Sequence, residues 1–530
     1  MTIKERLNRF ATAKHSSILS ASLVLGITFI ISALLGFLRT RILYDHFFKL
    51  FTSELDAFNA AFRLPDLIFK LLVSGALSAS FIPVYASFLH KDKEEADRVA
   101  SAVINLLFLV FLGASISVFI FARPISHLIA PGFSQYQLAV MVSLTRILLF
   151  AQIFFLLSNF LTSILQVNQI FLLPAISPLI YNLAIIVSIY LFSKSFGLYG
   201  VAWGTVVGAF LHFVIQLPAL KQQGFKYSLI LNYRLQGVKE IIRLMIPQSI
   251  AIGISEIEIT VTLFFTSLLA AGSLSLLNLA FQLMYLPSRI FSTTVGQASL
   301  PILAKHVAKG EHDKFRHIVN KTVLQSLFLA LPIAIMILIL RLDLVRIVFG
   351  TKHFPWSATK ITASALGFLT PVIVCQAIIQ IIIRAFYALH NTKLPLYTAL
   401  ISLIVCTISS VLFINYTSLG IAGLAFSTAL GDMVQCISLL VCYVVKVDGK
   451  DWQITVMRFF KILLAAIICG IFTWIAMRIL DTYVLNTARV LDVILVFGFS
   501  ALIGLIGYLV ACYLLKIKEF NDYIHFISRR

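Results

Sequence analysis

Apolar runs of about twenty residues or more recur along almost the whole 530-residue chain, and they decide what it can fold into. A hydrocarbon core of about 30 Å is crossed by about 20 helical residues. Segments near 17–38, 60–89, 99–121, 137–166, 172–193, 198–220, 241–271, 275–303, 319–340, 359–389, 394–414, 419–445, 455–480 and 490–515 reach that length. In lipid every backbone N–H and C=O must find its partner inside the protein, so each run is expected to be helical, and the runs are too long for barrel strands. With 60% hydrophobic and 12% charged residues, no soluble core could hide this much apolar surface. The expectation is an all-α polytopic membrane protein with about 14 transmembrane helices.

The charges outside those runs are distributed unevenly. Residues 1–16 form a basic segment (Lys4, Arg6, Arg9, Lys14) ahead of a full-length span, with no small-residue cleavage site, and are expected on the cytoplasmic membrane surface. With that end inside, the inner loops hold Lys91, Lys93, Arg98, Lys221, Lys226, Arg234, Lys239, Lys305 and Lys309, while the outer loops hold far fewer basic residues. With an even number of helices, this positive-inside pattern places both termini in the cytoplasm. It also accounts for the net charge of +20, so no nucleic-acid partner is expected. The six cysteines fall in apolar spans of the second half without a CxxC pair, and imply no disulfide, metal or other cofactor.

The chain also repeats itself. Leu165–Pro174 (LQVNQIFLLP) resembles Tyr387–Pro395 (YALHNTKLP), with Asn168 set against Asn391. Gly197–Ala209 (GLYGVAWGTVVGA) resembles Gly420–Asp432 (GIAGLAFSTALGD) at the same offset, and Leu64–Phe69 (LPDLIF) resembles Leu286–Phe291 (LPSRIF) at nearly that offset. A duplicated six-helix unit explains this: an N-lobe over 17–220, a cytoplasmic linker over 221–240 and a C-lobe over 241–446. Residues 447–515 then add two helices, and 516–530 form a basic cytoplasmic tail. Six is even, so the copies keep one orientation, and parallel repeats of this kind place a substrate site between two bundles.

One span is unusual. The stretch from Ala57 to Pro83 follows Asp56 and carries Arg63, Asp66 and Lys70 where a membrane helix should begin. Each charge at membrane depth costs roughly 2.5–3.5 kcal/mol on insertion scales, so such groups face a protein interior or a watery cavity. Arg63 and Lys70 are two helical turns apart and point the same way. A cationic stripe inside a membrane protein asks for an anionic substrate.

Four stretches resemble the MurJ/MviN family of lipid II flippases, within the multidrug/oligosaccharidyl-lipid/polysaccharide exporter superfamily: Gly36–Leu43, Leu55–Phe88, Leu144–Ile186 and Arg384–Leu403. The resemblance implies two six-helix bundles in a V shape, a cavity lined by helices 1, 2, 7 and 8, and a polyprenyl-tail groove formed by the two extra C-terminal helices. It implies a transporter, not an enzyme, that moves lipid II (an undecaprenyl-pyrophosphate-linked disaccharide-peptide) from the inner to the outer leaflet by alternating access. The expected partners are lipid II and membrane lipids, with coupling to the membrane potential or a cation, and a monomer suffices. Arginine and lysine suit this cargo because they give charge-assisted hydrogen bonds to phosphate, arginine as a planar fork and lysine as a point charge.

Carried over by position, Arg39 matches the family's arginine at the end of helix 1, Asp56 its helix 2 aspartate, and Arg63 and Lys70 its helix 2 basic positions. Arg39 and Arg41 bind substrate or anchor the interface. Asp56 caps helix 2, pairs with Arg39 or takes part in binding. Arg63 and Lys70 face substrate or snorkel. The chain departs from the family at Ala33, Ser74, Phe281, Gln282, Tyr285, Thr262, Cys406 and Ser410, where family charges or polar groups are missing. Arg289, two turns after Gln282, is the candidate for the lost helix 8 phosphate contact, and Glu256 or Glu258 for ion or proton coupling.

Three other readings compete, one of them a scaffold that recruits envelope enzymes, whose signature of long structured loops is absent from the sequence. A flippase for another polyprenyl-pyrophosphate-linked oligosaccharide, or a drug exporter of the same superfamily, would share the fold. A membrane glycosyltransferase would need a carboxylate or metal constellation, and no DxD, HExxH or GxxxxGK[ST] motif occurs.

Overall fold

The computed structural model describes residues 18–48, 52–74, 80–289, 294–447, 452–485, 487 and 489–522. The basic segment 1–16 and the tail beyond 522 lie outside them. The described residues are helical with no strand among them, as an apolar chain with its backbone bonds closed within each segment must be. Ten helices among them are long and apolar enough to cross a membrane. The chain divides into two compact units, Met1–Leu274 and Ser275–Arg530.

In the first unit, α1 (Ile18–Phe47) is followed by two short helices, α2 (Thr52–Ala61) and α3 (Arg63–Phe69). A π-helical turn, Lys70–Ser74, extends α3. The expected single span over 60–89 is therefore interrupted: the chain turns at Phe62, widens at Lys70 and resumes as α4 (Ile82–Leu89). Next come α5 (Lys93–Ile120), α6 (Ala122–Ile129) and α7 (Gln135–Val167). Asp92 caps α5 by accepting from the Glu94 N–H at 2.8 Å, and Ser134 and Gln137 form a reciprocal capping box on α7. The unit continues with α8 (Leu172–Val214), α9 (Leu217–Gln222) and α10 (Gln236–Ser267). Phe81, Tyr85, Phe111 and Phe160 pack together at its centre.

From the boundary onward come α11 (Ser273–Ser288), α12 (Thr294–Ala308), α13 (His312–Ile339), α14 (Arg341–Phe349), α15 (Trp356–Ala388), α16 (Lys393–Tyr416), α17 (Ile421–Lys446), α18 (Trp452–Ile479) and α19 (Val490–Leu514). The two C-terminal helices belong to the core of this unit. Tyr508 of α19 donates from its hydroxyl to the Phe328 carbonyl of α13 at 2.7 Å, and Cys469 and Cys512 are buried beside it. Outward-facing residues such as Leu491, Ile506 and Leu514 are more than half exposed, which lipid can solvate and water cannot.

The internal repeat leaves a backbone signature. Gly197 breaks α8 at φ 55°, ψ −139°, and Gly420 precedes α17 at φ 53°, ψ −124°. That mirror-image extended conformation is essentially restricted to glycine. After the Gly197 break, Gly200, Gly204 and Gly208 line one helical face, where an added Cβ would strike Phe192, Ser188 and Tyr181 respectively. The preceding junctions match as well, in a different register. Gln169 and His390 have φ of 62° and 57°, and each helix end closes with the same pair of bonds: Gln169 N–H to Gln166 O and Ile170 N–H to Leu165 O, against His390 N–H to Tyr387 O and Asn391 N–H to Phe386 O. Gln169 is thus equivalent to His390, and Asn168 to Leu389. The Asn168–Asn391 match is displaced by two residues, because the helix ends need a left-handed residue and not an asparagine.

Candidate functional site

The break at Phe62 places Arg63 at the first position of α3, where Pro65 costs no helical bond because first-turn N–H groups have no partner within the helix. Arg63 is 6% exposed. Its Nη1 donates to Glu256 Oε2 at 2.6 Å, its Nη2 to the Glu256 carbonyl and its Nε to Thr260 Oγ1 at 2.8 Å. Thr260 in turn donates to that same carbonyl at 2.8 Å. One guanidinium therefore grips a full turn of α10. Seven residues on, Lys70 Nζ lies 3.0 Å from Glu256 Oε1. The carboxylate of Glu256 is bridged, one oxygen to each cation. The Lys70 side chain is 39% exposed and that of Glu256 6%, so the solvent-facing side of the group is the lysine.

Asp66 stands between the two cations in sequence and on the same face, and accepts from Gln152 Nε2 of α7 at 2.6 Å. Two positive and two negative side chains thus share a mostly buried site, each with a named polar partner, as burial of charge demands. A further tie joins α10 to the π turn: Ser249 Oγ donates to the Leu71 carbonyl at 2.6 Å.

Both helix 2 basic residues converge here, as their spacing implies. Of the two glutamates on α10, Glu256 faces them. Glu258, two residues along, is half-buried, and its carbonyl accepts from Thr262 Oγ1 at 3.0 Å. Arg39 is half-buried with its guanidinium 5.9 Å from the centre of the Tyr181 ring. Arg41 is half-buried on the same helix. Asp56 is buried in the interior of α2, not at its cap, and its Oδ2 accepts from the Gly272 N–H at 2.6 Å, holding the turn after α10 where Gly272 adopts φ 91°. Arg289 lies in the second unit, exposed, 6.0 Å from the centre of the Tyr285 ring. Phe281 and Tyr285 stack at 5.7 Å where the family resemblance leads one to expect charge. Thr260, Gln152 and Ser249 escaped the sequence reading. Thr260 carried a signal, being one turn after Glu256 on the same face.

In the second unit, α18 and α19 form an open apolar groove of about 450 Å³, lined by Ile468, Phe472, Ile503, Ile506 and Val510 among others. Among the described residues no cluster of His, Cys, Asp or Glu could hold a metal ion.

Comparison with known proteins places this architecture. The family model described as lipid II flippase MurJ matches residues 50–493. A probable lipid II flippase MurJ of Bdellovibrio bacteriovorus is 27% identical over 519 residues, 96% of either chain. A lipid II flippase MurJ of Burkholderia cenocepacia is 28% identical over 446 residues, 80% of this chain and 84% of that one. A solved structure of lipid II flippase MurJ in an inward closed conformation superposes with a TM-score of 0.76 at 25% identity, covering 95% of this chain and all of that one. An inward-facing multidrug transporter of the MATE family shares the fold, with a TM-score of 0.61 at 15% identity over 81% of this chain and 98% of that one.

Proposed function

Because the chain belongs to the lipid II flippase MurJ family and is a multi-pass membrane transporter rather than an enzyme, we propose that it carries lipid II from the inner to the outer leaflet of the bacterial cytoplasmic membrane by alternating access. The observation that carries the site assignment is the convergence of Arg63 and Lys70 on one carboxylate in an apolar bundle. Two cations already arranged around a pair of acceptor oxygens suit the pyrophosphate of the cargo, since guanidinium and ammonium groups recognise carboxylate and phosphate by the same charge-assisted bonds. Arg39 extends the basic surface of the same unit. The α18–α19 groove suits the isoprenoid tail, being lined by apolar side chains and open to the membrane-facing surface of those helices. Arg289, exposed on the second unit, is a candidate phosphate contact in its own right. Both termini face the cytoplasm, as the basic inner loops support.

The test is complementation of a bacterium depleted of its own flippase, scoring lipid II exposed on the outer leaflet. The wild-type chain restores growth and exposure, while Arg63→Ala and Arg39→Ala, expressed to the same level, do not. Failure of the wild-type chain, inserted and abundant, would contradict lipid II as the cargo.

A further inference from the structure

We infer that Glu256 is a built-in competitor for the anion site, its carboxylate occupying the seat that a pyrophosphate group takes on Arg63 and Lys70. This rests on the functional reading above and adds how the site is regulated.

Three features of the geometry support it. First, the carboxylate behaves like a bound anion: its two oxygens go to two different cations, at 2.6 and 3.0 Å. Second, Arg63 does not need that carboxylate to stay in place. Its Nε is held by Thr260 Oγ1 and its Nη2 by the Glu256 carbonyl, and both acceptors belong to the helical turn rather than to the charged group. Departure of the carboxylate therefore leaves a guanidinium already aimed, with Nη1 released. Third, the site has a side open to ligand, because Lys70 is 39% exposed. A pyrophosphate approaching Lys70 meets one cation directly and the other behind the carboxylate.

The negative charges already present make displacement obligatory. Asp66 and Glu256 balance Arg63 and Lys70, and Asp66 is engaged by Gln152. A multiply charged ligand and the Glu256 carboxylate cannot share one cation pair without like-charge repulsion. Binding thus exchanges an internal anion for an external one. The affinity that remains is that of the open site multiplied by the fraction of time the carboxylate is away. A transporter gains from this, since the resident carboxylate ejects the ligand after it has crossed.

The experiment is a calorimetric titration of the purified full-length chain in lipid nanodiscs with inorganic pyrophosphate, at fixed pH and ionic strength. Glu256→Gln keeps the shape but removes the competing charge. It should bind pyrophosphate about tenfold or more tightly than wild type, even while its melting temperature falls. Arg63→Ala/Glu256→Gln should bind no more tightly than wild type. A folded Glu256→Gln variant with unchanged or weaker affinity overturns the inference, since an ion pair that merely shapes the site would lose binding along with stability. If Glu256→Gln does not fold, Glu256→Asp, too short to bridge both cations, must tighten binding, and its failure to do so counts equally against the inference. Tighter binding by Glu256→Gln beside a wild-type chain that moves no lipid II would overturn the functional reading and leave the competitor. Lipid II movement with unaltered Glu256→Gln affinity would do the reverse.

Discussion

Arg63 and Glu256 form an ion pair at 2.6 Å whose side chains are 5% and 6% exposed. Removing one partner of such a pair strands the other charge in a low-dielectric site, which typically costs about 3–5 kcal/mol, whereas replacing both with apolar groups is often neutral. Lys70 still holds the other oxygen of Glu256 when Arg63 is removed, so Arg63→Ala should destabilise the purified protein by less than that full cost, about 2–3 kcal/mol. The double variant Arg63→Met/Glu256→Leu should recover most of that loss in thermal or denaturant unfolding. A double variant as unstable as the sum of its parts would show that the pair is not the coupled unit described.

Lys70 separates binding from stability. Its side chain is 39% exposed, and half-exposed ion pairs contribute about 0–1 kcal/mol. Lys70→Ala should unfold within about 1 kcal/mol of wild type yet lose pyrophosphate affinity. A matched loss of stability, measured in the same preparation, would assign Lys70 a structural role instead.

Gly197 and Gly420 test the repeat at the level of the backbone. At neither position would an added Cβ meet a heavy atom within 4 Å, so Gly197→Ala and Gly420→Ala introduce strain without collision. Each should cost about 1–3 kcal/mol, and by similar amounts, because the two share one conformation. Gln169→Gly and His390→Gly should each gain roughly 1 kcal/mol by relieving a left-handed residue. Unfolding of the four variants checks both statements.

Asp343, on the short helix α14 outside the spans, gives a pH prediction. Burial, with Asp481 nearby and only Arg346 opposing, pushes its carboxyl up to about 6 from an ordinary 3.8. The folded state therefore favours the protonated form. The stability this gives is fully present below pH 3.8 and is lost as pH rises through about 6. Asp343→Asn should raise the melting temperature at pH 7–8 and leave it nearly unchanged near pH 4. An equal shift at both values would contradict the assignment.

Much of this was legible in the chain itself. Long apolar runs demand helices, so the α class followed from length and composition. The seven-residue spacing of Arg63 and Lys70 placed them on one face, and the Gly197 and Gly420 motifs marked a constraint that chemistry forces on the sequence. What stayed hidden depends on rotation and on contacts distant in sequence. Glu256 and Glu258 could not be told apart, because two residues on a helix differ by more than half a turn and the sequence does not say which face meets α3. The break at Phe62 is marked only by Pro65, which has no N–H to give the Ala61 carbonyl, and the π turn at Lys70 has no composition of its own. Asn168 and Asn391 suggested a register that the backbone does not use, since Gln169 and His390 take the left-handed position.

The central claim is that the cations of α3 and its π turn hold the cargo's pyrophosphate, and reconstitution tests it most directly. Proteoliposomes containing the wild-type chain, Arg63→Ala or Lys70→Ala are loaded with fluorescent lipid II, and its passage between leaflets is timed. The account predicts movement with the wild-type chain and at least about a tenfold loss with each variant, the loss expected when a charge-assisted phosphate contact is removed. Wild-type rates from folded Arg63→Ala and Lys70→Ala proteins would contradict it.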